Sequence, residues 1–509
     1  MEIELKLLLA PADVAAFRRL ALLEQYAADK PRSRQLSSTY FDTPDLLLRG
    51  HGMELRVRRA GRVWIETLKA AGQVAAGLHQ RQEWEVRVVG AQPELAALAA
   101  LVGPGTEWET VLTAPALAEA LGPIFNSVFR RTVWLLRLPQ GAEVELALDQ
   151  GELRRGDARE PISEIELELK AGDPAALFDL ALQLQDKIPL RVGNRSKAAR
   201  GYALLDPQQP SAAKTKPVEL ARAMTVEQGF CTIASNCLAQ IQDNEPGVLR
   251  GMDPESLHQM RVGVRRLRSA LGLFAKWVPC PEALRTELAW LAGELSAARD
   301  ADVFADSTLA SVTDACPTDA ELLRLQQAAS MSARAKRQQA AVMVGSVPYS
   351  RLMLKLAAWL QGLRWRETLD ASQRQQLNAS IQTRAAQILA RRHKKLRAGG
   401  ERLDLGTPEE RHRIRIAAKK ARYAMEFFQS LHPAGRVKRS IKCLAALQDV
   451  LGRLNDAAVA DGLLRQLGLS QPNLAGSAEF ARGFLCAQAE RNLRELASLW
   501  RAFRALKPP

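Results

Sequence analysis

The sequence predicts two domains of different class: an α+β domain built around charged strands, followed by a domain made only of helices. Three observations support this prediction. Charged and apolar residues alternate in several segments before residue 206, a proline-rich stretch follows, and from residue 218 onward apolar residues recur with a helical period. At 509 residues the chain exceeds what one hydrophobic core normally supports, so more than one domain is expected.

The first strand, residues 1–9, sets the pattern of the α+β domain. Glu2, Glu4 and Lys6 fall on one face and apolar residues on the other. Alternating charges of both signs return in segments 54–58, 81–86, 143–147 and 164–170. A sheet with such a face can curl so that the charges line a lumen, with helices covering the apolar face outside. A lumen of this kind would hold a small, multiply anionic, metal-bound ligand.

The remaining elements of this domain follow in order. A turn-rich piece at residues 40–45 leads to the paired strands near Leu55 and Ile65, and a further strand is predicted at 128–138. Helices are predicted at 11–23, near 93–102, near 115–121 and at 174–187. Runs of strands with helices between them are typical of an α+β domain.

Residues 206–217 are predicted to be a linker, because they hold three prolines and no apolar residue larger than alanine. The predicted domains are therefore residues 1–205 and 218–509. Residues 1–205 carry 26 Lys+Arg and 27 Asp+Glu, whereas the remainder carries 45 and 29. The excess of positive charge in the second part favours a polyanionic partner: nucleic acid, an anionic membrane or a phosphate polymer.

The helical domain contains an internal repeat. The segment 258–268, with His258, Arg261, Arg265 and Arg268, matches segment 412–422, with His412, Arg415, Lys419 and Arg422. Further on, Arg299-Asp300 corresponds to Asn455-Asp456. Two copies of one helical unit, packed as pseudo-symmetric bundles, explain this repeat most simply.

Composition excludes several classes of protein. The six cysteines show no C-x-x-C pair and are expected to be reduced thiols of a cytosolic protein. The acidic, strand-like start does not resemble a signal peptide, and no apolar run reaches 18 residues, so no membrane span is expected. We therefore expect a cytoplasmic protein without a membrane partner.

The first domain resembles the CYTH domains, also called triphosphate tunnel metalloenzymes. The motifs that carry the resemblance, in the family's order, are Glu2-x-Glu4-x-Lys6, Tyr40-Phe41-Asp42-Thr43-Pro44, Arg56 with Arg58, Thr67-Leu68-Lys69, the acidic strands and Ser196-Lys197-Ala198-Ala199-Arg200. The resemblance covers the whole domain. It implies a closed antiparallel tunnel of eight strands, with outer helices, that binds triphosphate together with Mg²⁺ or Mn²⁺.

The resemblance also implies roles for individual residues. The metal would be held by the oxygen ligands of Glu2, Glu4, Glu166 and Glu168, with Glu164 and Asp149 as neighbouring candidates that the sequence does not separate. The phosphate oxygens would be held by Lys6, Arg56, Arg58, Lys69, Arg81, Arg130 and Lys197. Such a cage neutralises the phosphate oxygens while water attacks phosphorus.

The activities of this family differ, and the sequence leaves several open. Segments 77–83, 147–151 and 196–202 look most like the bacterial inorganic triphosphatases with two domains. We therefore expect hydrolysis of inorganic triphosphate to diphosphate and phosphate. The alternatives are adenylyl cyclase or thiamine triphosphatase activity in the same tunnel, or a binding protein of polyphosphate granules without turnover.

The repeat resembles a CHAD domain, a helical family of two four-helix bundles that binds polyphosphate. The resemblance assigns polyphosphate contacts to His258, Arg261, Arg265, Arg268, His412, Arg415, Lys419 and Arg422. Metal binding by His258 or His412 is a weaker alternative, because neither has a His or Cys three or four residues away. Nucleic acid is also disfavoured, because no groove-reading motif or aromatic platform accompanies the stripes.

Overall fold

The computed structural model describes residues 2–75, 77–205, 211–400 and 407–506, except for the side chains of residues 71, 73 and 75. The chain divides into two compact units. The first comprises Met1–Gln209 with Val347–Arg364, and the second comprises Pro210–Ser346 with Trp365–Pro509. Residues 206–210 of the predicted linker lie outside the described residues.

The first unit contains a closed barrel of eight antiparallel strands, which confirms the predicted fold class. The barrel strands are β1 Glu2–Leu9, β2 Arg32–Asp42, β3 Glu54–Ala60, β4 Val63–Ala75, β5 Leu78–Val88, β6 Gly122–Arg137, β7 Glu143–Arg155 and β8 Ala158–Ala171, and a short further strand, β9 Leu190–Val192, follows them in the sequence. They pair in the order β5-β4-β3-β2-β6-β7-β8-β1. The first half of β1 also pairs with β5 and closes the barrel, while its second half pairs with β9.

Eight helices accompany these strands in the sequence. They are α1 Val14–Phe17, α2 Ala21–Tyr26, α3 Leu47–Gly50, α4 Leu95–Val102, α5 Glu107–Leu112, α6 Pro115–Ala120, α7 Ala175–Gln185 and α8 Lys197–Ala203. Residues of α3 to α6, such as Leu98 and Leu117, pack on the outward side chains of β3 to β5, such as Leu55 and Leu68. The helix predicted at 11–23 is interrupted, because Leu20 has an extended backbone at the start of α2.

One end of the barrel interior is filled by apolar side chains. Phe125 and Phe129 of β6 lie here with Tyr40 of β2 and Tyr202 of α8, and the rings of Tyr40 and Phe125 stack at 4.4 Å. A Cβ atom at Gly201 would lie 2.0 Å from the Phe125 ring, so α8 approaches this cluster closely only because residue 201 is glycine. The helix that carries Lys197 is thereby fixed against the barrel.

The helical half adds α9 Val226–Asp243, α10 Glu245–Leu249, α11 Pro254–Phe274, α12 Glu282–Val303, α13 Leu309–Thr313, α14 Ala320–Val344, α15 Val347–Gln361, α16 Ala371–Leu377, α17 Ile381–Gly399, α18 Pro408–Phe427, α19 Ala434–Ser470 and α20 Ala475–Ala505. Between residues 211 and 506, the described part of the chain contains no strand. None of the described helices is long and apolar enough to cross a membrane.

In the second unit, two series of helices pack against one another in the same order. Helix α11 lies between α9 and α12, and α12 packs on α14; likewise α18 lies between α17 and α19, and α19 packs on α20. The two copies of the repeat are thus the equivalent helices α11 and α18, which also contact each other. The predicted cationic stripes therefore lie on adjacent helices.

Candidate functional site

The register of the strands places charged side chains opposite each other around the lumen. Glu4 of β1 lies opposite Glu168 of β8, and Lys6 lies opposite Glu166. On the other side of β1, Glu2 lies opposite Arg81 of β5. Because side chains alternate across a strand, these residues all point to the same face. That face is the inside of the barrel.

The inward side chains enclose a cavity of about 270 Å³. Its lining is strongly charged and carries both signs: Glu2, Glu4, Lys6, Arg34, Tyr40, Glu54, Arg56, Arg58, Lys69, Arg81, Glu83, Glu85, Arg131, Glu145, Ala147, Glu166, Glu168, Lys170, Ser196, Lys197 and Ala198. Such a wall suits a small ligand that carries several negative charges together with a cation.

Three carboxylates form a compact group at the floor of this cavity. Asp149, Glu164 and Glu166 each offer an oxygen within 4.8 Å of the others. Lys197 Nζ contacts all three, at 2.6 Å from Asp149 and Glu164 and 2.8 Å from Glu166. Lys6 Nζ lies 2.9 Å from Glu164 and also contacts Glu166. All three acids and both lysines are buried away from bulk water, so each charge depends on the others.

The electrostatics of the floor follow from this arrangement. Burial alone would raise the pKa of Glu164, but Lys197 and Lys6 outweigh it and lower that pKa to about 2. Burial lowers the pKa of Lys197, whereas Asp149 and Glu164 outweigh that effect and raise it. Glu164 and Lys197 therefore both stay ionised at neutral pH.

Arg131 completes the floor from β6. Its Nε lies 2.7 Å from Asp149 Oδ1 and its Nη2 2.6 Å from Asp149 Oδ2, and it also contacts Glu166. Arg130, the residue predicted to hold phosphate, is exposed on the outside of the barrel, where it lies opposite Gln150. The structure thus brings Arg131, and not Arg130, to the cavity.

Arg58 forms no ion pair with a carboxylate among the described residues, and it shares this property only with Arg34 among the cations of the lumen, but Arg34 is exposed. Arg58 Nε donates a hydrogen bond to Ser38 Oγ at 3.3 Å. Burial, together with the neighbouring Arg56 and Arg131, lowers the pKa of Arg58 to about 9. The half-buried guanidinium therefore lacks a counter-charge that a bound anion would supply.

A second group of acids, here called the wall acids, comprises Glu2 and Glu4 of β1, Glu145 of β7 and Glu168 of β8. On β1 and β8 this group begins two residues away from Lys6 and Glu166. Glu2 Oε2 accepts from Lys69 Nζ at 2.6 Å, whereas the only ion-pair partner of Glu4 among the described residues is Arg81, at 3.8 Å. Glu168 lies opposite both Glu4 and Glu145. Burial, and the proximity of Glu145 and Glu2, outweigh Lys170 and raise the pKa of Glu168.

These wall acids fit a hard divalent cation. They are oxygen donors on three adjacent strands, and carboxylates face each other there with few basic partners. The floor acids are less suitable as a complete set of ligands, because Lys6, Lys197 and Arg131 already occupy them. Glu166 lies at the boundary between the two groups.

His79 links the lumen to the strand β9. Arg81 Nη2 lies 3.2 Å from His79 Nδ1, and His79 Nε2 lies 3.2 Å from the Gly193 carbonyl, so Nδ1 accepts and Nε2–H donates. Burial and the nearby Lys6 lower the pKa of His79 to about 4, which keeps the ring neutral. The backbone N–H of Gly193 in turn donates to the Lys6 carbonyl at 2.9 Å.

Most of the residues predicted for this site line the cavity. These are Glu2, Glu4, Lys6, Arg56, Arg58, Lys69, Arg81, Glu166, Glu168 and Lys197. The sequence reasoning missed Arg131, Arg34 and Tyr40, and gave no site role to Glu54 or His79. For Arg34 and Tyr40 the alternation of β2 could have served as a signal.

In the second unit, the two repeats bring four cations together, here called the central cluster: Arg261 and Arg265 of α11, and Arg415 and Lys419 of α18. Arg261 Nε donates to Ser296 Oγ at 3.0 Å, and Arg415 Nη1 donates to Asn455 Oδ1 at 2.9 Å. Burial and the three neighbouring arginines lower the pKa of Lys419 to about 7. The central cluster is thus a concentration of like charge.

The other predicted residues of the repeat lie around this cluster in different settings. His258 is half-buried, its Nδ1 has no hydrogen-bond partner among the described residues, and burial and Arg299 lower its pKa to about 4. His412 is exposed, and its Nδ1 lies 3.2 Å from Asn455 Oδ1. Arg268 is exposed, whereas Arg422 Nε donates to Glu426 at 2.7 Å.

Comparison with known proteins assigns both halves of the chain. Residues 1–202 match the CYTH domain and residues 232–465 match the CHAD domain. An inorganic triphosphatase of Haemophilus influenzae is 35% identical over 203 residues, which are 40% of this chain. The match covers 54% of that relative, so the chain spans about half the length of the relative it matches.

Two solved structures are also similar. The CHAD domain from the plant Ricinus communis is 40% identical, with a TM-score of 0.53, and the likeness covers 59% of this chain and 98% of that one. A protein from Hippeastrum, described as an adenylyl cyclase with a dominant triphosphatase activity, is 22% identical. That likeness covers 40% of this chain and 96% of the other, with a TM-score of 0.30.

Proposed function

The chain carries a CYTH domain at residues 1–202 and belongs to the CHAD family through residues 232–465, and on this premise we propose that it is a metal-dependent inorganic triphosphatase that also binds polyphosphate. The barrel would hydrolyse inorganic triphosphate to diphosphate and phosphate. The similarity of residues in this region to an inorganic triphosphatase of Haemophilus influenzae supports this choice among triphosphates.

The observation that carries the proposal is the arrangement of cations in the lumen. Arg56 and Arg58 come from β3, Arg131 comes from β6 and Lys197 comes from α8, so positive charges surround one cavity of about 270 Å³. Arg58 in particular has no carboxylate partner among the described residues. A compact polyanion supplies the charge that these groups lack, and the cations would hold it in place and neutralise its oxygens.

The proposed metal is Mg²⁺ or Mn²⁺, held by Glu2, Glu4, Glu166 and Glu168. When bound, such an ion neutralises phosphate oxygens and makes phosphorus easier to attack. The chain's own contribution is to bind and orient the substrate: Arg81 is held by Glu54 at 3.0 Å and by His79, and Lys6 is held by the floor acids. Tyr202 and the apolar cluster beneath exclude water from one end.

In the second unit we propose the central cluster as the place where polyphosphate is held, with the remaining predicted residues around it. Four cations meet there, with Asp300 and Asp456 as the nearby acids. Phosphate oxygens would compensate the mutual repulsion of these cations. The aromatic residue beside them, Tyr423, is buried and offers no platform for bases, which favours a phosphate polymer over nucleic acid.

An assay of phosphate release tests the enzyme. Triphosphate, ATP and thiamine triphosphate are compared with Mg²⁺ and with a chelator, and triphosphate should have the highest kcat/KM and require the metal. Glu4→Gln should lower that value by on the order of 10²-fold, while triphosphate binding, measured by calorimetry, persists through the arginines.

Glu119→Gln is the matched control, because Glu119 is exposed on α6, a helix that packs on the outside of the barrel. It should leave activity unchanged. Turnover of Glu4→Gln equal to that of the control would refute the metal assignment. Cyclic AMP as the main product from ATP would establish a cyclase instead, and tight binding without turnover would establish a binding protein.

A further inference from the structure

A second group of cations lies beside the central cluster, here called the lateral patch: Arg268 of α11, Arg392 and Lys395 of α17, and Lys420 of α18. Burial, followed by the proximity of Arg392, Lys395 and Arg268, lowers the pKa of Lys420, so the four side chains share one region. Arg392 Nη2 also donates to the Gly272 carbonyl of α11 at 3.4 Å, which holds α17 and α11 together here.

The lateral patch has no acidic partner among the residues that the structure describes. None of the ion pairs formed by the described residues involves Arg268, Arg392, Lys395 or Lys420. Arg268, Lys395 and Lys420 are exposed to solvent. Like charges that face one another from three helices repel each other, and this repulsion disfavours the folded state unless an anion lies between them. The missing negative charge points to an external anion.

The lateral patch continues the central cluster along the same two helices. On α11, Arg268 follows Arg265 by three residues, a rise of about 4.5 Å along the helix axis. On α18, Lys420 directly follows Lys419 and lies about 100° further around the helix axis, on the side where Arg392 and Lys395 of α17 lie. A long anion that is held at the central cluster and extends along α11 and α18 towards α17 therefore reaches the lateral patch.

We propose that the lateral patch is a second phosphate-binding site, which holds the continuation of a linear polyphosphate chain bound at the central cluster. This inference rests on the proposed function, because it takes the central cluster as the first binding site. A linear phosphate polymer fits both sites, since it presents a negative charge at every unit and needs no recognition of bases. The four side chains of the patch include no aromatic residue on which a base could stack.

The test uses the full chain in the presence of a chelator, which suppresses hydrolysis. Binding of long-chain polyphosphate is measured at several salt concentrations for the wild type and for Lys395→Gln/Lys420→Gln, which removes two exposed charges of the patch. The matched control is Arg334→Gln/Lys336→Gln, which removes two exposed charges from α14.

The patch variant should bind long chains about tenfold more weakly at low salt, and the slope of log affinity against log salt should fall by about 1.4, or roughly 0.7 for each lost contact. The control should resemble the wild type. Binding of inorganic triphosphate should be equal in all three proteins, because the lumen and the central cluster are intact.

Equal losses in the patch variant and the control would overturn the proposal, since only net charge would then matter. If the wild type itself did not bind long-chain polyphosphate, the polyphosphate part of the proposed function would fail, and the lateral patch with it. If single-stranded RNA displaced polyphosphate at equal phosphate concentration, the surface would be a nucleic-acid site and the proposal would be wrong.

Discussion

Arg58 is a residue whose charge the folded protein leaves uncompensated. It lies half-buried in the lumen between Arg56 and Arg131, and within the described part of the chain its side chain hydrogen-bonds only to Ser38. A side chain in such a setting costs folding free energy unless a ligand supplies the opposite charge. Residues of this kind are retained for binding or catalysis and not for stability.

We therefore expect Arg58→Gln to separate activity from stability. The value of kcat/KM for triphosphate should fall by about 10²-fold, because one donor to the substrate is lost. The free energy of unfolding should stay unchanged or rise by up to about 2 kcal/mol, because a buried like charge is removed. Phosphate-release kinetics and denaturant unfolding measure the two quantities.

The control for this experiment is Arg130→Gln, since Arg130 is exposed on the outside of the barrel. Neither its activity nor its stability should change. A fall in both stability and activity of Arg58→Gln would contradict the interpretation, because Arg58 would then be a structural residue.

The neighbouring residues Arg130 and Arg131 show where the sequence is ambiguous. Alternation in strand β6 tells which side chains share a face, but not which face is inside. Phe125 and Phe129 are apolar and point inward to the cluster at one end, whereas Trp134 and Leu136 are apolar and buried on the opposite face. Because both faces of β6 carry apolar residues, only its pairing with β7, where Arg131 meets Asp149, decides between them.

At the scale of elements, α11 and α18 form a pair whose charges depend on pH. Lys419 of α18 faces Arg261 and Arg265 of α11 and Arg415 of its own helix, with Asp300 of α12 and Asp456 of α19 as the acids nearby. Burial and the arginines lower the pKa of Lys419 to about 7, from an ordinary value of 10.5. This lysine therefore loses its proton within the neutral range.

Binding of polyphosphate should weaken as the pH rises through this range, because a phosphate oxygen favours the protonated lysine. Between pH 6 and pH 9 we expect a loss of about tenfold in affinity, the size of one charge-assisted contact. Stability without ligand should change in the opposite direction and rise from about pH 7 to pH 10, because the unfolded chain binds the proton more tightly there.

Lys419→Arg is the matched variant, since arginine keeps its charge over this range. Its affinity for polyphosphate, measured in the presence of a chelator, should be nearly constant from pH 6 to pH 9. The same pH dependence in the wild type and in Lys419→Arg would show that another group titrates, and the role given to Lys419 would be wrong.

The periodicity of the sequence predicted the helices α11 and α18 and the strand β1 well, because each has a strong pattern of its own. It did not predict the break between α1 and α2, where Leu20 becomes extended. The lateral patch was also not predicted, since Arg392 and Lys395 lie on α17, outside the repeat, and only packing brings them to Lys420. Local patterns thus predict elements but not the surfaces that form between them.

At the scale of the molecule, α15 lies in the second half of the sequence but belongs to the barrel unit. Helix α15 packs on α7 and β9. Ser350 Oγ donates to the Leu190 carbonyl at 2.7 Å, and Arg351 pairs with Asp186. The periodicity of the sequence could not predict this arrangement, because it identifies α15 as an apolar helix but does not indicate the unit on which that helix packs.

The contact has consequences for the lumen, because β9 supports the strand β1. Val192 of β9 lies opposite Leu7 of β1, and the Gly193 N–H donates to the Lys6 carbonyl. A Cβ atom at Gly193 would lie 2.9 Å from Lys6 Cγ, so this segment packs closely on the lysine side chain. Loss of α15 would uncover β9 and α7 while leaving every residue of the lumen in place.

A fragment of residues 1–205 is therefore expected to keep triphosphatase activity at low temperature but to unfold at a lower temperature than the full chain. The loss should be about 5 °C or more, which corresponds to about 2 kcal/mol for a unit of this size. Thermal unfolding followed by circular dichroism and by residual activity measures it. Adding residues 218–509 as a separate chain supplies α15 and should recover part of the difference. Equal unfolding temperatures for the fragment and the full chain would show that α15 does not support the barrel.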